Sequence, residues 1–88
     1  MGKSYDVVFS KRAKRDLKEM DPDAKQQIVE AAEALGRRPR PPSSKQMKGG
    51  YSGYWRERTD NYRTIYEIRD EQLVILVVRA GHRKDIYK

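Results

Sequence analysis

Cysteine is absent from this chain of 88 residues, and histidine occurs once, at position 82. The absence of cysteine excludes disulfides and thiolate chemistry. A single histidine excludes a metal site built from several histidines, and a site made of carboxylates alone suits so basic a chain poorly. We therefore expect no metal and no cofactor.

Long apolar runs are also missing. No stretch approaches the length that spans a bilayer, and the N-terminus lacks the apolar core of a signal peptide. Met1-Gly2 is followed by Asp6, which fails the myristoylation pattern. These absences predict a cytoplasmic protein that makes no membrane contact.

Basic residues are what the chain has in excess. Twenty lysines and arginines oppose 13 acidic residues, which gives a net charge of +7 and a pI near 9.8. Hydrophobic residues make up 36% of the sequence, so we expect a single domain, residues 1–88, with a thin core under a charged surface. Such a domain attracts polyanions, but charge alone does not separate RNA, DNA, anionic lipid or an acidic protein.

The first half of the chain predicts a strand followed by two helices. Residues 4–9 alternate as a strand does, and Ser10 is placed to cap a helix whose apolar stripe is Ala13, Leu17 and Met20. This helix has a very basic outer face, which is solvated or touches nucleic acid. Asp21-Pro22 starts a second helix over residues 22–35, with Gly36 placed to end it.

The second half predicts a small sheet. Three prolines make residues 36–44 an extended crossover, and strands follow over residues 54–58, 62–68 and 73–78. Asp60-Asn61 and Asp70-Glu71 supply the turns of an antiparallel meander. The unbroken apolar run 73–78 indicates a central strand. The fold class is α+β, β-α-α-β-β-β, with a helical hairpin on one face of a curved, mainly antiparallel sheet and the other face partly open.

The candidate functional residues lie on these strands. Arg63 is predicted on the open face, where it binds an anion or pairs with Glu67 or a cross-strand neighbour, and both readings stay open. Arg56 and Arg58 share a face, and guanidinium groups suit phosphate oxygens. The alternative is an exposed basic strand edge that discourages aggregation.

Gly81-His82-Arg83 is predicted to follow the central strand directly, where scaffolds often hold reactive side chains. The His82 imidazole has an ordinary pKa near neutrality, which makes it the natural proton donor or acceptor. A lone histidine is more often structural. Tyr87 stacks on a base, donates its phenolic proton or clips the end of the chain onto the domain.

If these groups converge, they fit cleavage of RNA. The 2′-hydroxyl is an internal nucleophile, so the protein supplies cations for the growing phosphate charge and a proton for the leaving 5′-oxygen. Aromatic side chains hold a splayed base by stacking. No carboxylate is positioned as general base.

At this point the sequence resembles the RelE/ParE superfamily of toxins from toxin–antitoxin pairs. Segments in the same order and spacing carry the resemblance over nearly the whole chain: residues 5–13, 39–42, 45–49, 54–58, 62–68 and 81–83 with Tyr87. The resemblance implies a RelE-like fold, a cognate RelB-like antitoxin and metal-independent cleavage of mRNA in the ribosomal A site. The catalytic positions it implies are Arg56, Arg63, His82, Arg83 and Tyr87. RNA- or ribosome-binding residues are expected at Lys45, Lys48, Arg58, Arg79 and Lys84.

Three functions compete at this stage. The first is a ribosome-dependent mRNA endoribonuclease, in which the arginines stabilise the transition state. The second is a ParE-like inhibitor of DNA gyrase without nuclease chemistry. Arg63, His82 and Tyr87 together favour the nuclease, because the ParE branch tends to lack that set. The third is a basic binding module without either activity.

Overall fold

Two helices cover one face of a five-stranded sheet in the computed structural model, which describes residues 4–82 apart from the side chain of Tyr51. Along the chain the elements are β1 (Asp6–Phe9), α1 (Lys11–Lys18), α2 (Pro22–Arg37), β2 (Ser44–Gln46), a 3-10 turn (Gly49–Tyr51), β3 (Trp55–Thr59), β4 (Tyr62–Arg69) and β5 (Val74–His82). The predicted α+β class is confirmed. Within residues 4–82, neither helix is both long and apolar enough to span a membrane.

The strands lie in the order β1-β5-β4-β3-β2. Strand β1 runs parallel to β5, and the other neighbours are antiparallel, so the predicted meander and the interior position of β5 are confirmed. The sheet has one strand more than expected, because β2 pairs with β3 along residues read as part of a loop. Three residues without an apolar repeat give too weak a periodic signal to mark an edge strand.

Both helix starts follow from their capping residues. The Ser10 hydroxyl accepts a hydrogen bond from the backbone N–H of Ala13 at 3.1 Å. The Asp21 carboxylate accepts from the N–H of Ala24 at 2.9 Å, and Pro22 occupies the first helical position. Each cap satisfies one of the backbone donors that a first turn leaves open, as predicted.

Gly36 lies inside α2, and the prediction that it ends the helix was wrong. A Cβ on Gly36 would lie 2.7 Å from the carbonyl oxygen of Tyr5, closer than such atoms approach. The Tyr5 N–H donates to the Gly36 carbonyl at 2.7 Å, so backbone meets backbone here. Glycine is required for this close contact between α2 and the start of β1, and the helix continues to Arg37.

The hydrophobic core lies between the helices and the sheet. One cluster joins Ala13, Ala32 and Leu35 to Tyr66, Ile75 and Val77 of the sheet. A second cluster joins Leu17 and Ile28 to Ala80, with Met20 and Tyr62 packed against it. The helix stripes read from the sequence therefore face the sheet. Their burial fixes the other sheet face as the side away from the helices.

Candidate functional site

The sheet face away from the helices, called the open face below, gathers basic side chains from three neighbouring strands. Lys45 of β2 pairs in register with Arg56 of β3, and Arg58 of β3 pairs with Arg63 of β4. Register partners in an antiparallel pair point to the same face, and neighbouring strands lie about 4.8 Å apart. Four cations therefore share one small surface, and Lys45, Arg56, Arg58 and Arg63 are called the basic cluster below.

Alternation along β3 and β4 assigns the basic cluster to the open face. Trp55 and Tyr66 are register partners that pack in the core beneath the helices, so the residues next to them face the other way. Ile65 pairs with Arg56, is fully buried, and lies in neither core cluster. Its register partner Arg56 has a long aliphatic stem, and such stems cover apolar neighbours while the charged end stays in water.

The residues of the basic cluster differ in exposure. Arg56 and Arg63 are half-buried, whereas Lys45 and Arg58 are exposed. The Nε atom of Arg63 is buried. A half-buried guanidinium is held in place more firmly than one on a flexible, solvated side chain, so Arg63 and Arg56 are the members best suited to meet a phosphate in fixed geometry.

The carboxylates of β3 and β4 are each engaged by another group, Glu57 by the backbone N–H of Arg58 and Glu67 by Arg69. Glu57 pairs in register with the buried Thr64 and is itself buried on the helix-covered side. Glu67 forms an ion pair with Arg69, toward the far end of β4. Glu57 therefore lies on the other face from Arg56 and Arg63, whereas Glu67 shares the open face with Arg63 and is paired with Arg69. Among residues 4–82, no three histidines or carboxylates are grouped to hold a metal ion.

His82 belongs to β5 and does not follow it, which corrects the prediction that Gly81-His82-Arg83 forms a loop after the strand. A polar residue after a glycine reads as a strand end, but pairing with β4 continues through His82. His82 pairs with Tyr62, and the two rings meet edge to face with centroids 5.8 Å apart. Tyr62 packs against the core cluster of Leu17 and Ile28, so this ring pair lies on the helix-covered side.

Arg63 and His82 therefore occupy the same end of the sheet on opposite faces. Arg63 pairs with Gly81, the residue before His82, and successive strand residues point to opposite sides. The expectation that both would lie on one surface is not met. The chain brings Arg56, Arg58, Arg63 and Lys45 together and leaves the imidazole on the other side.

A cleft of about 430 Å³ opens beside His82. Its lining comes from the start and end of α1, from the turn before α2, and from the ends of β4 and β5: Arg12, Asp16, Glu19, Met20, Asp21, Ala24, Tyr62, Arg79, Ala80, Gly81 and His82. The lining carries both signs of charge. It does not resemble the single-sign surface of the basic cluster.

Asp16 holds the edge of β5 where β1 has ended. Its carboxylate accepts from the backbone N–H of Ala80 at 3.1 Å and from Arg79 Nε at 2.9 Å. Asp16 and Arg79 have side chains only 10% and 17% exposed, so the predicted RNA-binding residue Arg79 is engaged within the protein. The sequence signal for Asp16 was its place among Ala13, Leu17 and Met20, as the one acidic residue on an apolar stripe.

A second network fixes the proline-rich crossover. Asp70 in the β4–β5 turn accepts from the Tyr5 hydroxyl at 2.6 Å and from Arg40 Nη2 at 3.0 Å. The Arg40 guanidinium also lies 5.5 Å from the ring centroid of Trp55. The hydroxyl of buried Tyr66 donates to the Pro39 carbonyl at 2.8 Å. The crossover is thereby tied to the sheet just before β2, which presents Lys45.

Four predicted residues are not part of a described strand. Lys48 is exposed between β2 and the 3-10 turn. Arg83, Lys84 and Tyr87 lie outside the described residues, so their predicted roles are untested. The described site consists of the basic cluster and, behind it, the His82 cleft.

Comparison with known proteins decides the family. The profile described as "ParE toxin of type II toxin-antitoxin system, parDE" matches residues 7–87. The chain belongs to the ParE toxin family. This ParE-family toxin is 34% identical over 86 residues to Toxin RelG of Mycobacterium tuberculosis, which covers 96% of this chain and 97% of RelG. The resemblance to the RelE/ParE superfamily is thereby confirmed.

Solved structures share the fold of this ParE-family toxin. The M. tuberculosis toxin–antitoxin complex RelBE2 contains a chain with a TM-score of 0.83 and 32% identity, over 91% of this chain and 99% of that one. The isolated RelE toxin of Escherichia coli gives a TM-score of 0.76 at 20% identity, over 90% of this chain and 84% of that one. The E. coli likeness shows the fold alone.

Proposed function

We propose that this toxin of a type II toxin–antitoxin system cleaves mRNA on the ribosome, without a metal ion. The observation that carries the proposal is the basic cluster, in which register aligns four cations on the open face. Such a surface matches a polyanion, and the half-buried guanidinium groups of Arg56 and Arg63 suit a phosphate whose charge grows during reaction. Similarity to a toxin named RelG supports the nuclease branch of the superfamily.

In the proposed reaction the RNA supplies its own nucleophile. The 2′-oxygen bonds to the adjacent phosphorus while the bond from phosphorus to the 5′-oxygen breaks. The products are a 2′,3′-cyclic phosphate and a 5′-hydroxyl end. The proton lost by the 2′-hydroxyl goes to solvent, and the leaving 5′-oxygen takes up a proton. Arg63 and Arg56 stabilise the negative charge on the non-bridging oxygens.

The geometry divides the predicted catalytic set. Arg63 and Arg56 act from the open face, and Lys45 and Arg58 hold the flanking phosphates. The His82 imidazole faces Tyr62 on the helix-covered side. His82 therefore serves as proton donor only where the RNA passes around the edge of the sheet at the start of β4 and the end of β5. Arg83 and Tyr87 keep their predicted roles as charge-neutralising and base-orienting groups.

The test is to induce the toxin without an antitoxin and map mRNA 5′ ends in translating cells. Codon-phased cuts that disappear with Arg63→Ala support the proposal. His82→Gln should lower cleavage while antitoxin binding stays intact, and equal loss of both would make His82 structural. Uncut mRNA in cells that have stopped growing would contradict the nuclease.

Inhibition of DNA gyrase is the second candidate, because the matching family profile is that of the ParE toxin. A supercoiling assay with purified gyrase, run beside the mapping of mRNA ends, separates the two. Blocked supercoiling with intact mRNA would favour gyrase as the target.

The partner we propose is a cognate RelB-like antitoxin. The similar M. tuberculosis chain was solved in the RelBE2 toxin–antitoxin complex, and a further E. coli structure is that of the intact RelBE complex. Co-expression with a RelB-like protein encoded beside the toxin gene should restore growth and yield a complex on purification. Failure of any neighbouring product to bind would contradict this pairing.

A further inference from the structure

Helix α1 carries a second cationic surface, on the other side of the sheet from the basic cluster. Five of its eight residues are basic and all five are exposed: Lys11, Arg12, Lys14, Arg15 and Lys18. Ala13 and Leu17 of the same helix are buried against β5 and α2. The basic side chains therefore line the solvent side of a helix whose inner side is fixed in the core.

This charge pattern works against the stability of the helix. Lys11 and Arg12 occupy the first turn, which holds no acidic residue, and a cation there opposes the helix dipole. Lys11 also lies three and four residues before Lys14 and Arg15, and Lys14 lies four before Lys18. Each such like-charged pair costs about 0.2–0.5 kcal/mol.

Part of this repulsion is offset in the last turn, where the cations Arg15 and Lys18 favour the helix dipole. Within residues 4–82, ion pairing by its basic side chains is limited to Arg12 with Asp16, at 3.6 Å. Asp16 is 10% exposed and turned inward to Ala80 and Arg79. Helix α2 shows the ordinary alternative, since its exposed side mixes acids and bases and pairs Gln26 with Glu30. A solvated face needs no such one-sided charge.

The chemistry of this face fits a rigid phosphate backbone. Its exposed side chains are cations only, with no aromatic ring to stack on an unpaired base. Stacking platforms are typical of sites for single strands, whereas double-helical RNA is bound mainly through its shape and phosphates. We infer that α1 binds the phosphate backbone of double-helical RNA while the open face holds the strand to be cut.

This inference rests on the proposed function, because the ribosome is where a message and double-helical RNA lie side by side. The two surfaces are on opposite sides of the sheet, so they do not compete for one RNA segment. One binds the target and the other anchors the toxin beside it.

The test compares two charge-matched triple variants, both in an Arg63→Ala background that prevents cutting. The first is Lys11→Gln/Lys14→Gln/Lys18→Gln in α1. The control is Lys25→Gln/Arg37→Gln/Arg38→Gln, three exposed cations of α2 and its C-cap. Each lowers the net charge of +7 by three. The probes are a short RNA hairpin, an unstructured RNA of equal length and vacant ribosomes.

For the α1 variant we expect hairpin affinity to fall roughly tenfold near 0.1 M salt, with the slope of log K against log salt flatter by about two. The α2 control should keep its affinity within about twofold, and so should Lys11→Arg/Lys14→Arg/Lys18→Arg. Ribosome co-sedimentation should follow the hairpin. The melting temperature of the α1 variant should stay the same or rise, because repulsion is removed.

Equal losses in both triples would mean that only net charge matters and would overturn the inference. Equal losses on hairpin and unstructured RNA would overturn the double-helical assignment. Unchanged ribosome binding by the α1 variant would overturn the assignment of the double-helical RNA to the ribosome. If the hairpin contrast holds but the toxin with Arg63 intact makes no codon-phased cuts in translating cells, the nuclease proposal fails and the α1 inference remains.

Discussion

The two faces of the sheet treat polar residues in opposite ways. On the helix-covered face, Glu57, Thr64 and Tyr66 are buried beside aliphatic residues. On the open face, the cations of the basic cluster are exposed or half-buried, and Arg56 pairs in register with the buried Ile65. Alternation along β3 and β4 separates these sets residue by residue, so one strand serves the core with one side chain and the ligand surface with the next.

Stability and activity should therefore depend on different side chains of the same strand, according to the sheet face that each side chain occupies. Substitutions on the helix-covered face should destabilise the toxin. Substitutions on the open face should lower its activity while the protein stays folded. Neighbouring residues on one strand make the sharpest tests, since they share everything except the face.

The largest effect is expected from Ile75→Ala. Ile75 is fully buried among Ala13, Ala32 and Leu35, so its truncation should lower the free energy of unfolding by about 2–5 kcal/mol. The control is Leu76→Ala, next along β5 on the open face and only half-buried, which should cost clearly less. Urea unfolding of both variants measures the difference. Equal losses would refute the separation of the two faces.

The next effect is on activity. Arg63→Gln keeps the side chain long but removes the charge, so cleavage in a translating extract should fall on the order of a hundredfold. The control Arg69→Gln lies on the same strand, where Arg69 pairs with Glu67, and should leave cleavage near normal. Both variants should stay folded by circular dichroism. A similar loss of cleavage in both variants would show that the reaction depends on the positive charge of β4 as a whole and not on the position of Arg63.

Much of the separation between the two sheet faces was predictable from the sequence, because it follows from the spacing of apolar residues in helices and strands. The helix stripes, both N-caps, the parity of Arg56, Arg58 and Arg63, and the Asp60-Asn61 turn all follow from local pattern. The features that the sequence did not predict depend on contacts between residues far apart in the chain. Gly36 lies inside the helix and contacts the backbone of Tyr5, 31 positions away in the chain, and no local signal reports that contact.

The site was harder to predict than the fold. A register shift between Ile65 and Tyr66 adds a residue on β5, so Val77 and Ala80 both face the helices, and His82 follows Ala80 to that side. Simple alternation from the apolar run gives no warning of this bulge. Asp16 was overlooked because its partner, the unpaired edge of β5, exists only in the folded sheet.

A smaller effect is expected from Tyr66→Phe, which removes the hydroxyl that donates to the Pro39 carbonyl. The loss should be about 1 kcal/mol at neutral pH. Burial raises the pKa of Tyr66 to about 12, above its ordinary value of 10.0. The folded state thus favours the neutral phenol, and this contribution is full below pH 10 and is lost as the pH rises through 12. The wild type should therefore lose stability over that alkaline range more steeply than the variant, as followed by thermal melts.

The smallest effect is expected from Asp70→Asn, at the end of β4 far from Arg63. Hydrogen bonds from Arg40 and then Tyr5 hold the pKa of Asp70 below its ordinary value of 3.8. A lowered pKa favours the carboxylate in the folded state, so its contribution is present above the unfolded pKa and is lost as the pH falls through the folded one. The gap in melting temperature between wild type and Asp70→Asn should be small at pH 6 and should close in acid.

The control Asp60→Asn removes the same charge from the other turn, at a φ of +53° that asparagine also adopts. Cleavage should be unchanged in both variants, and a loss confined to Asp70→Asn would mean that the crossover positions Lys45 for the reaction.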